Sequence, residues 1–228
     1  MPRLLAVFAA TLMLIALPAS AGVKEEQRAG NAARVLGEIM RIPESAVPTR
    51  LFAEAYAVAV IPDVVKAGLF LGGRRGKGLI AVRGADGSWS NPSYMTLTGG
   101  SIGFQAGVQS SDVILVFRSA RGVDNIVNGK FTLGADASVA AGPVGRSAQA
   151  STDQDLKAEI YSYSRARGLF AGVALDGAVL AIDYKANRAV YGANITPRAI
   201  FEGRVQGVPD AVVDFRDRLE ENTVPQRP

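Results

Sequence analysis

The sequence predicts an α+β fold: an antiparallel β-rich barrel or sandwich core flanked by an N-terminal amphipathic helix and a C-terminal helix. Residues 101–110 and 131–141 alternate apolar with small or polar positions at period two, the mark of strands with one buried face. Residues 24–41 and 210–220 instead place apolar side chains at helical spacing. The chain has 25 glycines and only 7% aromatic residues, a composition of closely packed strands and turns. With 228 residues, 48% of them hydrophobic, it can fill one complete core.

The elements follow in order. Met1-Pro2-Arg3 is a short positive segment, and Leu4–Leu17 is an unbroken apolar run. Pro18 then precedes Ala19-Ser20-Ala21, a small-x-small cleavage pattern. Residues 1–21 are expected to be an export signal, which places the mature protein in the periplasm or outside the cell. An uncleaved anchor is the alternative, although a spanning helix needs about 20 apolar residues. Residues 22–221 then form one domain, and 222–228 a flexible tail.

Lys24–Arg41 reads as an amphipathic helix with Ala32, Val35, Leu36, Ile39 and Met40 on one stripe. It either docks on the sheet or lies on a membrane surface through Lys24, Arg28, Arg34 and Arg41. Glu25, Glu26 and Glu38 weigh against the second role. A short helix is expected near Pro48–Ala55, and a buried strand over Tyr56–Ile61. The stretch from Ala67 to Arg83 reads as a hairpin. Its apolar arms flank a loop of glycine and positive charge, Gly72-Gly73-Arg74-Arg75-Gly76-Lys77. That loop is either an anion-attracting tip or a solvated turn. Arg167–Asp183 repeats the theme as a second hairpin around Asp176-Gly177.

Asp86-Gly87 marks a tight turn, and Trp89 is a packing anchor. Strands follow over Ser93–Thr98, Ser101–Ser110, Ser111–Phe117 and Phe131–Ala141, with a short helix or loop at Asp124–Lys130. Asn187-Arg188 marks a turn, Thr196-Pro197 starts a helix, and Asp210–Glu220 forms the last helix with Ala211, Val212, Phe215 and Leu219 inward.

The chain has no Cys and no His. That removes disulfides, thiolate nucleophiles, imidazole bases, zinc sites of the usual ligand sets and Ser-His-Asp catalysis. No nucleophile–base pair stands out, no metal or catalytic residue is assigned, and no cofactor is implied. The glycine-rich basic stretch is not a P-loop, because Gly76-Lys77 is followed by Gly78 rather than Ser or Thr. A formal charge of +4 and a pI near 9.5 are too weak to argue for nucleic acid.

Together, residues 66–82, Asp86-Gly87-Ser88-Trp89-Ser90-Asn91-Pro92, Gly99–Gly107, Ser111-Asp112, Phe131–Gly134, Gly142–Arg146 and Tyr163 with Gly168–Gly172 resemble the SYLF domain, in that family's order. The resemblance implies a non-enzymatic protein that binds anionic phospholipids, phosphoinositides among them. It transfers the lipid contact to Lys66, Arg74, Arg75 and Lys77, and to the basic residues of the N-terminal helix. Some eukaryotic members bind actin and carry an additional Src-homology domain; for an exported protein, actin binding is expected only on delivery to a host cell. The alternative is a structural or protein-binding module of the cell envelope. The sequence sets no oligomeric state.

Overall fold

Residues 57–61, Ala-Val-Ala-Val-Ile, are apolar on both faces of any strand they form, so that strand must be covered from both sides. The computed structural model, which describes residues 19–41, 47–68, 71–102, 107–144, 157–166 and 169–223, shows how. They open β1 (Ala57–Gly68), near the middle of one nine-stranded sheet. β1 pairs antiparallel with β2 (Leu71–Val82) and β4 (Gly107–Phe117). β3 (Ser93–Ile102) flanks β2, and β9 (Val179–Ile182) and β5 (Lys130–Thr132) continue that side. On the other side lie β7 (Ile160–Ala166), β6 (Val139–Ala141) and β8 (Leu169–Gly172). Every pair is antiparallel except β6–β7. The sheet curls into a half-barrel, so the α+β expectation holds.

One face is covered by helices. α1 (Ala19–Arg41) lays down Ala29, Ala32, Val35, Leu36 and Ile39, all fully buried, and α2 (Thr49–Ala53) adds Leu51 and Phe52. α4 (Tyr184–Tyr191), α5 (Pro197–Phe201) and α6 (Asp210–Thr223) complete the layer with Ala186, Ile200, Val212, Phe215 and Leu219. The opposite face is covered by α3 (Ala120–Asn128), through Val123 and Ile126, and by the β8–β9 connection, through Leu175 and Ala178.

A bulge in β1 sets the relation between the faces. Val60 pairs with Leu79, but beyond the bulge Val65 pairs with Arg75, and the register against β4 shifts likewise between Ile61 and Val64. One extra residue in β1 therefore moves its even-numbered side chains from the helix face, where Val58 and Val60 lie, to the opposite face, where Val64 lies. Asp63 sits there at φ 51°, and its N–H donates to Asp112 Oδ1 at 3.1 Å.

Several sequence expectations are corrected. Residues 72–77 are not a loop but lie inside β2, paired with β3 throughout and with β1 up to Arg75. Residues 167–183 are not one hairpin: β8 pairs with β7 while β9 pairs with β3 across the sheet, and only the turn at Gly177 (φ 73°) is as expected. The alternation of 101–110 spans the end of β3 and the start of β4, which do not pair because the β1–β2 hairpin lies between them. The alternation of 131–141 is broken by a turn at Gly134 (φ 84°) into β5 and β6. Asn187 and Arg188 lie inside α4, because Asp183 caps that helix, accepting from the Ala186 N–H at 3.1 Å. The buried Asn187 spends its amide on β3, accepting from Tyr94 N–H at 2.7 Å and donating to Ser93 Oγ at 2.9 Å. Asn222 and Thr223 belong to α6 rather than to a tail. Thr223 is buried, and its Oγ1 accepts from Trp89 Nε1 at 3.0 Å, which anchors the tryptophan as expected. Residues 1–18, most of the segment expected to be an export signal, lie outside the described residues, as do 224–228; α1 runs unbroken across Ala21–Gly22.

Three buried tyrosines join the layers by donating to backbone carbonyls: Tyr94 to Glu25 at 3.0 Å, Tyr163 to Pro143 at 3.2 Å and Tyr191 to Pro92 at 2.6 Å. Burial pushes all three hydroxyls well above the ordinary tyrosine range. Unfolded tyrosine ionises near pH 10. Above that pH the folded state holds more protons than the unfolded one, so stability is intact below pH 10 and falls as pH rises beyond it. Denaturant titrations from pH 7 to 11.5 should show this fall. Tyr94→Phe should lose about 1 kcal/mol at neutral pH and show a shallower alkaline slope; parallel slopes would contradict the assignment.

Candidate functional site

The glycines of the basic stretch serve close packing rather than turning. A Cβ on Gly76 would come within 2.6 Å of Ile61 Cγ2, and one on Gly78 within 2.1 Å of the Val60 carbonyl oxygen. Both glycines face the β1 bulge, where the neighbouring strand leaves no room for a side chain. Since the segment is a strand, its cations divide by parity. Arg74 points to the face opposite the helices, while Arg75 and Lys77 point to the helix face. The bulge in β1 places Lys66 directly across from Arg74, on the same face.

On the helix face, Arg75 and Lys77 line a cleft of about 370 Å³ with Lys24, Arg28, Gln27 and Asn31 of α1 and with Pro62 and Asp63 of the bulge. Two of these cations are already engaged. Asp183 Oδ2 lies 3.2 Å from Lys77 Nζ and 3.6 Å from Arg28 Nη1. Arg28 also stacks over the Tyr94 ring at 5.5 Å and pairs with Glu25 at 3.4 Å. Arg34 pairs with Glu38 at 3.1 Å, away from this cleft. Glu38 in turn contacts Arg165, whose Nη1 lies 3.5 Å from Asp112. The side chain of Arg41 lies outside the described residues. Ala32, Val35, Leu36 and Ile39 of the apolar stripe of α1 are buried in the core; the side chain of Met40 lies outside the described residues.

Lys66, Arg74 and Arg75 have no carboxylate partner among the described residues, and Lys66 and Arg74 face a second cavity of about 650 Å³. Beside them the helix face extends beyond its helices, leaving Val65 43% and Val108 74% exposed. Sequence reasoning missed Asp183 and the exposed valines. It named Asp112 only as part of a motif. Burial raises the Asp112 carboxyl above the ordinary aspartate range. Its position explains why an acid stands there: it accepts the N–H of the left-handed Asp63.

The family profile described as Ysc84, "Las17-binding protein actin regulator", matches residues 98–222, more than half of the chain. The chain belongs to the Ysc84, or SYLF, family. Relatives extend the match through the basic strands. Protein YSC84 of Saccharomyces cerevisiae is 37% identical over 171 residues, covering 74% of this chain and 36% of that protein. LAS seventeen-binding protein 3 from the same species is 35% identical, covering 76% of this chain and 38% of its own. The human SH3 domain-containing YSC84-like protein 1 is 33% identical, covering 82% and 55%. The chain thus spans between about a third and just over half of the length of these relatives. The family description speaks of binding and actin regulation, and the name of LAS seventeen-binding protein 3 of binding.

The Ysc84 motifs converge in space. Tyr163 pairs with Gly172, a Cβ on Gly142 would lie 2.1 Å from the Tyr163 ring, and one on Gly172 would lie 2.3 Å from the Gly142 carbonyl. These motif glycines let three segments touch; they carry packing, not chemistry.

Gly78→Ala and Gly142→Ala should each destabilise by about 1–3 kcal/mol, since neither backbone nor ring can withdraw without cost. Chemical denaturation measures this, and neutral substitutions would contradict the packing. Asp112→Ala should cost about 1–3 kcal/mol by orphaning the Asp63 N–H, with Asp112→Asn costing clearly less because its amide oxygen still accepts.

Proposed function

We propose that this chain is a non-enzymatic module that binds anionic phospholipid headgroups, phosphoinositides among them, at a membrane surface. The observation that carries the reading is that Lys66, Arg74 and Arg75, on adjacent strands and without carboxylate partners among the described residues, put cations on both faces of this end of the sheet, Arg75 on the face where Val65 and Val108 are exposed. Cations near an anionic surface each contribute about 1 kcal/mol, and a valine beside them can enter the interfacial region. Arg74 and Arg75 supply forked donors for phosphate, whereas Lys66 supplies a point charge. Lys77 and Arg28 are held by Asp183 and contribute field more than contact. Lys24 stands exposed at the same cleft. The basic surface is thus a pair of strand faces rather than a loop tip, and α1 serves to hold the sheet.

A second reading follows from the relatives' names: a protein-binding module, engaging an actin regulator or another partner in the envelope. Residues 1–21 as an export signal, and a periplasmic or secreted location, belong to the same proposal; the mass of the protein recovered from the exported fraction tests them.

Vesicle co-sedimentation separates the two readings. The protein should bind vesicles containing phosphatidylserine or a phosphoinositide, not neutral ones, and release them at high salt. Lys66→Glu, Arg74→Glu and Arg75→Glu combined should weaken binding by roughly 100-fold or more. Absence of vesicle binding at low salt would sink the lipid reading and favour the protein partner.

A further inference from the structure

The faces of the basic strands differ in shape, and the one away from the helices encloses a volume. Its floor is β1, β2 and β4, with Val64 and Val113 at the inner end and Lys66 and Arg74 at the outer end. Ser164 of β7 and Val173, Ala174 and Leu175 of the β8–β9 connection form its wall. The cavity of about 650 Å³ falls in the size range of small-molecule sites. It is polarised along its length: Gln109, opposite Lys66, joins the cations at one end, Ser111 and Ser164 lie midway, and Val64, Val113, Val173 and Leu175 supply the apolar part. Arg74 Nε is buried and has no hydrogen-bond partner among the described residues, a donor held out of water with nothing to accept from it. Gly99, across from Arg74 on β3, packs against Ala178, whose Cα a Cβ there would meet at 3.1 Å.

We propose that this cavity binds one anionic amphiphile, a carboxylate or phosphate head on a single acyl chain. The head meets Lys66 and Arg74, and the first part of the chain lies along Val64, Val113, Val173 and Leu175. This rests on the lipid reading above and deepens it: the strands not only touch a charged surface but take up one anionic single-chain lipid between sheet and connection. A free inorganic anion would satisfy the charges alone; the apolar inner half distinguishes the two.

The test is equilibrium binding of the wild-type protein to soluble carboxylates from butyrate to dodecanoate, to dodecyl phosphate below its micellar range, and to inorganic phosphate. Isothermal titration provides the readout. Affinity should rise with chain length, by about threefold to fourfold for each methylene that enters the cavity. Inorganic phosphate should bind far more weakly than dodecyl phosphate. Ser164→Trp, which fills the cavity and leaves both cations, should abolish amphiphile binding while vesicle sedimentation persists. Arg74→Gln, which keeps the side-chain bulk, should weaken amphiphile binding at least tenfold. Affinity independent of chain length, or dodecyl phosphate bound no better than inorganic phosphate, overturns the proposal whatever the variants do. Vesicle binding without amphiphile binding overturns it too and leaves the surface reading standing. If neither is bound, both fail together.

Discussion

The bulge at Pro62–Asp63 is the constraint on which the arrangement of charge depends. A strand has two faces, and one extra residue exchanges them for everything that follows. Here the exchange puts Lys66 across from Arg74 instead of beneath α1. Three features hold it. Asp112 accepts the N–H of Asp63 in its left-handed conformation, Gly76 leaves space for Ile61 and Val64, and Gly78 lies against the backbone of Val60 and Ile61. Asp112 is in turn adjacent to Arg165, which contacts Glu38 of α1, so the helix layer and the bulge share one polar network.

This places the Ysc84 motifs in two groups. Gly142, Tyr163 and Gly172 bring β6, β7 and β8 into contact, and Trp89 locks α6 to the end of β2 through Thr223. They carry packing within the sheet and between the sheet and its helix layer. The Gly-rich basic strand does both jobs. Its glycines pack against the bulge, and Arg74 and Arg75 stand on opposite faces without carboxylate partners among the described residues, while Lys77 is paired with Asp183.

Much of the fold was legible in the residues. Helical stripes identified α1 and α6, the Thr196-Pro197 pair identified α5, and the apolar runs identified the centres of β1 and β4. The basic stretch was misread because glycine signals two different things. It permits a turn, and it permits close approach of neighbouring backbone, and only the partner strand tells which applies. Local pattern could not show that Ile61 and Val64 would sit above Gly76. Asn187 misled in a similar way: an amide that favours turns locally is drawn into α4 by the backbone of β3 some ninety residues away in sequence. Of the site, the cations were legible as residues but not as neighbours. Parity and register decide that Arg74 joins Lys66 while Arg75 joins the helix-side cleft, and both depend on a bulge that has no short sequence signature.

The most direct measurement is amide hydrogen exchange, resolved by residue, over Gly73, Arg74 and Arg75. These amides lie in a strand paired with both β1 and β3. They should be protected well above the exposed Asp86–Gly87 turn, and Asp112→Ala should reduce that protection through the bulge. Exchange at the rate of the Asp86–Gly87 turn would mean that the basic segment is a loop after all, and the division of its cations between two faces would fall with it.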